Sequence, residues 1–189
     1  MTNDQNPEPE FEGLNLDDPV RRAQFTGHLE LVNAAWEFLH SAVRDGDLRS
    51  VWGLVHESLR AQLAQQWVID NRRDISVGGF DESEVAAGLA ADPPSHPLWV
   101  HFERVHVRGL RRVLPDSSTW GIGAHTRMVG PDLEALYVHD MRNLPADGVW
   151  QPGAADLVYP LVFQRTGDQW QLAVLGPSEL TDDDVYPAP

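Results

Sequence analysis

The sequence predicts an α+β domain, with helices first and one antiparallel sheet after them. Three observations carry that expectation. Apolar residues ahead of Thr119 recur at helical spacings, four segments between Thr119 and Gly176 alternate in side-chain character, and short turn triplets join those segments in pairs. The triplets are Gly130-Pro131-Asp132 and Thr166-Gly167-Asp168, short enough to make antiparallel hairpins. Helices followed by strands give helices packed on one sheet face.

Asp18-Pro19 is a good helix start, an N-cap acceptor followed by a residue whose missing N–H costs nothing in the first turn. Leu29, Val32, Trp36, Leu39 and Val43 then fall along one helical stripe, and Gly46 supplies the stop. Gly27 can separate the opening turns from a main helix over about His28 to Arg44. Asp47 can cap a short helix with Leu48, Val51, Trp52 and Val55 on one face, and a third helix is expected from about Ser58 to Arg73. Ile75 to Phe80 reads as a loop. A fourth helix begins at Asp81, with Glu84 at N3 of a capping box, and ends before Pro93-Pro94. From Pro97 to Leu114, Trp99, Phe102, Val105 and Val113 fit a helix with Pro97 at N1 and Arg near the negative C-terminal pole.

The four strands are expected at Thr119 to Val129, Leu133 to Asp140, Asp156 to Arg165 and Gln169 to Leu175. Period-two geometry puts Trp120, Ile122, Ala124, Thr126 and Met128 on one face of the first. On the second, Tyr137 and His139 share a face with Leu133 and Ala135, and Glu134, Leu136, Val138 and Asp140 take the other. A two-residue loop at Pro131-Asp132 would pair Tyr137 with Thr126, and a three-residue loop would pair it with His125. Leu157, Tyr159, Leu161 and Phe163 share a face of the third strand, as Trp170, Leu172 and Val174 do on the fourth. Pro160 lacks an N–H and should sit at an edge or a bulge, while Met141 to Ala155 reads as a loop.

The 189 residues suit one domain, over 19–176, between acidic tails at 1–18 and 177–189. The ends hold Asp4, Glu8, Glu10, Glu12, Asp17, Asp18, Glu179, Asp182, Asp183 and Asp184 and no Arg, so two thirds of the net charge of −15 lies there. That disfavours a nucleic-acid partner, which needs a concentrated cationic face. The nearest approach is Arg104, Arg108 and Arg111 on one helical face, which reads as solvated. All 14 basic residues are Arg, which removes Schiff-base chemistry and Walker-type phosphate loops, and the absence of Cys removes thiolate sites. No stretch approaches the ~20 apolar residues of a membrane helix. The expectation is a cytoplasmic protein without membrane partner or cofactor.

Helices followed by long strands, with Ala42-Val43-Arg44-Asp45-Gly46-Asp47-Leu48 as an early turn and Asp168-Gln169-Trp170-Gln171-Leu172-Ala173-Val174 as the final strand, resemble the nuclear transport factor 2-like superfamily, in particular its SnoaL-like branch. The resemblance covers about Leu29 to Gly176. It implies a strongly curved, cone-shaped sheet closed on one side by the helices, with a cavity between them, and homodimers through the outer sheet face. One departure is the helical look of Ile75 to Leu114, where members commonly place a strand pair. Some members use the cavity for isomerase, dehydratase or cyclase chemistry and others bind a ligand or protein, so the fold does not select a function.

If the cavity is catalytic, Tyr137, His139 and Asp140 are the candidate acid, base and oxyanion groups. Trp120, Ile122, Ala124, Tyr137, His139 and Tyr159 are the candidate ligand-binding residues. The plainer alternative makes Tyr137 and Tyr159 core residues with locally bonded hydroxyls. No metal site is expected: His125 and His139 could approach across a hairpin, but no carboxylate completes the set. Three readings stay open. They are a noncatalytic protein binding a small apolar or amphipathic ligand, a cofactor-independent isomerase or lyase, and a protein-interaction module using the sheet face. A cavity lined by Trp and Leu without a carboxylate favours the first.

Overall fold

The computed structural model describes residues 18–122, 127–144 and 157–176. Both acidic tails, except Asp18, lie outside that range, as do Ala124, both proposed partners of Tyr137, and most of the loop expected over Met141 to Ala155.

Five α-helices precede the sheet: α1 (Pro19–Phe38), α2 (Glu57–Asp70), α3 (Arg72–Val77), α4 (Glu82–Ala90) and α5 (Trp99–Val113). Gly27 does not break α1. Its carbonyl accepts the indole N–H of Trp170 at 3.2 Å. Beyond Phe38 the chain continues as a π-helix, Leu39–Asp45, that ends at Gly46 with φ of 82°. The buried stripe is wider than its sequence pattern. Leu31, Ala35, Phe38, Leu39, Ala42 and Val43 are buried, whereas Leu29 is exposed.

Asp47 accepts from the Ser50 N–H at 3.1 Å and starts the expected short helix, a 3-10 turn over Arg49–Leu54. The helix expected to stop at Arg73 and give way to a loop at Ile75 instead breaks at Asn71 and resumes as α3. Ile75 is buried and anchors that extra turn, which runs until Gly78-Gly79, where Gly79 has φ of 74°. Asp81 caps α4 as expected, accepting from the N–H groups of Ser83 and Glu84 at 2.9 and 3.0 Å. α5 begins at Trp99 after Leu98 at its N-cap, so Pro97 does not take N1 as expected, and Gly109 lies within the helix without interrupting it.

The strands form one five-stranded antiparallel sheet in the order β1-β3-β4-β5, with β2 also paired to β3. They are β1 (Trp120–Ile122), β2 (Arg127–Gly130), β3 (Leu133–Asp140), β4 (Val158–Thr166) and β5 (Gln169–Leu175). The single strand expected over Thr119 to Val129 is thus two strands on one edge of β3. Both hairpin registers also occur. Gly130 faces Leu133 across the two-residue loop, then a bulge passes Val129 and puts Met128 opposite Glu134 and Arg127 opposite Ala135, the three-residue register.

A second bulge corrects the expected face of β5. Phe163 faces Leu172 but Val162 faces Val174, so Ala173 is the extra residue and the alternation reverses beyond it. Leu175 packs on the core in place of Val174, which is exposed. Pro160 sits inside the sheet opposite Tyr137 of β3, not at an edge; its carbonyl accepts from Gly176 N–H at 3.3 Å just past the end of β5, where its missing N–H leaves the return bond unmade.

The helices cover one face, as expected. Leu136, Val138, Leu161, Phe163, Trp170 and Leu172 join Leu31, Phe38, Trp52, Trp99 and Phe102 in one core. The 3-10 segment also ties to β5, where His56 N–H donates to the Leu172 carbonyl at 2.8 Å. Among the described residues, no helix is long and apolar enough to cross a membrane.

Candidate functional site

The inward stripe of α5 is Trp99, Phe102, His106 and Leu110, one residue per turn and set against the sheet side of the core. Between this helix, the end of α1 and the β4–β5 hairpin lies a cavity of about 380 Å³. Phe38, Trp52, Val55, Leu63, Leu110 and Leu175 make most of its wall, and among the described lining residues there is no carboxylate and no guanidinium. Trp52 is fully buried, with its ring edge-to-face against Trp99 and Phe102 at 5.0 and 5.6 Å.

Two polar side chains enter this wall, His106 and Tyr159. The Nδ1 of His106 is 2.9 Å from the Phe102 carbonyl, which can only accept, so Nδ1 carries the proton and Nε2 is left as an acceptor. Burial holds the pKa of this imidazole below its ordinary value, against a smaller opposite pull from the Phe102 carbonyl, so the ring is neutral at neutral pH. Tyr159 pairs with Val138 across the sheet and so points to the helix side. Burial raises its pKa, and no hydrogen bond offsets that effect among the described residues. Its hydroxyl stays protonated, a donor beside the neutral acceptor of His106. Gly176, with φ of 88°, passes so close that a Cβ there would sit 3.2 Å from the phenol oxygen.

The expected pocket residues do not all converge. Trp120 pairs with Asp140, Ile122 with Val138 and Tyr159 with Val138, which places Trp120, Ile122, Tyr159 and Asp140 on the helix side. Tyr137 pairs with Pro160 and His139 with Gly121, so they share the opposite face. They are together, as period two requires, but the full thickness of the sheet separates them from Tyr159. Both are buried, and Gly121 leaves the space that His139 and the Met141 thioether occupy. Gly121, on the outer face where a dimer contact is expected, therefore presents no open surface.

Trp120 is structural in its polar contact, its indole N–H donating to the Pro115 carbonyl at 2.8 Å, while its ring stacks on His40. Asp140 stands at the end of β3, where Arg142 grips both carboxylate oxygens, Nε at 3.0 Å from each and Nη2 at 2.5 Å from Oδ2. Arg142 side-chain and backbone hydrogen bonds hold this carboxyl well below the usual carboxylate range. So strongly stabilised an anion is a weak base. Asp140 and Tyr159 both line a separate hollow of about 270 Å³ with Asn143 and Leu157. Among the described residues, no three His, Asp or Glu side chains are grouped to hold a metal ion.

No protein-family model matches this chain, and neither a curated protein nor a solved structure matches it, so the geometry of the site is the guide to its function.

Of the described residues expected to bind a ligand, Tyr159 lines this cavity while Trp120, Ile122, Tyr137 and His139 do not; the rest of the wall was not expected, and its one other polar residue is His106. Its signal was legible: an imidazole four residues after Phe102 and four before Leu110, inside an otherwise apolar stripe.

Proposed function

We propose that this protein is a noncatalytic member of the nuclear transport factor 2-like type, holding a small apolar or amphipathic ligand between α5 and the sheet. The observation that carries the reading is the cavity itself: about 380 Å³, walled by Trp, Phe, Leu and Val, with neutral His106 and Tyr159 as its polar lining. That volume falls within the ~300–1,000 Å³ of small-molecule sites. A neutral ligand fits best, because a charge would enter a wall with no counter-ion among the described residues. The ligand would present an apolar body with a carbonyl or ether oxygen toward Tyr159 and a hydroxyl or N–H toward His106. The order of helices before sheet supports the family reading, and the bulges at Val129 and Ala173 support curvature of the sheet.

Isomerase or lyase chemistry has less support. The candidate carboxylate, Asp140, is engaged by Arg142, and Tyr137 and His139 lie across the sheet from the cavity. An interaction module on the outer face has less support too, since Ala135, Tyr137 and His139 are buried there. The homodimer keeps one line of support, the exposed Met128 and Val129 of β2, and light scattering that returns about 21 kDa would reject it.

Gly109 provides the decisive variant. It lines the cavity from a helix interior, and a Cβ there meets nothing within 4 Å. Gly109→Leu should stabilise the protein by about 1 kcal/mol through helix propensity while it fills the cavity. A panel of alkylphenols and monoterpene alcohols should bind the natural protein saturably and the variant not at all. Equal binding to both, or binding to neither, would refute the proposal.

A further inference from the structure

We propose a second site, independent of the first, that takes a small amphipathic carboxylate in the hollow between the first half of α5 and the α2–α3 corner. The hollow measures about 460 Å³. Trp67, Ile75, Phe80 and Leu98 give it an apolar floor, and Arg104 and Arg108 stand over it.

The two arginines are four residues apart on α5 and so lie on one face, where like charges repel. Neither has an ion pair or hydrogen bond among the described residues. Arg73 and Arg112 share that lack, whereas Arg111 donates to the Val43 and Arg44 carbonyls at 2.6 and 2.8 Å, Arg60 meets Asp92 at 3.2 Å, and Arg142 clamps Asp140. A cation pair with no direct partner, over an apolar floor, is the arrangement an anion relieves.

Trp67, 6% exposed, contributes its ring to the floor. The opposing groups set the ligand's charge. Asp74 lines the same hollow and cancels one guanidinium, while His101 adds an imidazole at the rim. Asn71 has committed its amide N–H to the Trp67 carbonyl at 2.8 Å. The balance is about one positive charge, matched by a monoanion rather than a phosphate dianion, and a planar carboxylate suits guanidinium forks. The floor then takes an aryl or short alkyl body.

Isothermal titration with 4-phenylbutanoate at low salt tests the site, with 4-phenylbutanamide as the neutral twin. The acid should bind with one-to-one stoichiometry and the amide about tenfold or more weaker, the scale of hydrogen bonds to charged groups. Arg104→Gln with Arg108→Gln should lose about tenfold or more in affinity for the acid with an unchanged circular dichroism spectrum. Gly109→Leu, which fills the other cavity, should bind the acid as the natural protein does. Equal affinity for acid and amide, full binding by the double variant, or loss in Gly109→Leu would each overturn the proposal. Inorganic phosphate that competes as well as the acid would overturn the carboxylate assignment.

Discussion

The two hollows on α5 meet at Val105, which lines both, yet they are chemically opposite. The one against the sheet presents His106, Gly109, Leu110 and Val113. The other presents Leu98, His101, Arg104 and Arg108 from the adjoining face of the same helix. Their difference comes from what each face meets. Facing the sheet, a charged group would lose its hydration with nothing to replace it, so the polar residue admitted there is an imidazole that burial keeps neutral. Facing the α2–α3 corner, long arginine stems can lie over apolar side chains while their heads stay in water. One helix thus supplies a dry wall and a charged rim more than a third of a turn apart.

That contrast can be broken most severely at the dry wall. Trp52→Ala removes a fully buried indole at the centre of the aromatic cluster and should cost about 3–5 kcal/mol in urea unfolding. A loss under about 1 kcal/mol would mean that this wall is not tightly packed.

His106 sharpens the contrast through pH. Its folded pKa lies below the ordinary 6.5, so the unfolded chain takes up a proton that the folded cavity resists. Stability should therefore fall as pH drops below about 6.5 and level off below the folded value. His106→Gln should flatten the melting temperature between pH 7 and 5, a window above that of the depressed carboxyls Asp45, Asp81, Asp116 and Asp140. An unaltered pH slope in the variant would place the imidazole in water.

The smallest effect belongs to the charged rim. Arg104→Gln with Arg108→Gln should change stability by no more than about 0.5 kcal/mol, with any change toward a gain as like charges separate. A loss beyond about 1 kcal/mol, the top of the range for surface ion pairs, would reveal that these guanidiniums hold the fold rather than await a ligand.

Much of this architecture was legible in advance because it rests on local rules. Asp81, Gly46 and the two turn triplets fixed element ends through caps and left-handed positions, which depend on a few neighbouring residues. What period two could not supply was the absolute side of the sheet. It put Tyr137 and His139 together, but whether their side meets the helices is decided by Leu136 and Val138 packing on Phe38 and Trp52, a tertiary choice. The bulges at Val129 and Ala173 were equally silent, since an extra residue has no composition signature and yet reverses every later side chain. α3 was missed because the sequence break looked for at Ile75 came at Gly78, and a buried isoleucine outweighs weak local helix preference.

The indole bond from Trp170 to Gly27 joins residues 143 apart, and the amide bond from Gln171 to Gly53 joins residues 118 apart. Both tie β5 to the first helical segments, so these segments are closed over only once β5 has been made. At ~5–20 residues per second, Trp170 leaves the ribosome's active centre roughly 7 to 30 s after Gly27. Through that interval α1 carries Leu31, Phe38 and Leu39 with no sheet to cover them. Folding of these segments in this sense waits for β5, and until then the nascent helices are the stretch on which a chaperone would act.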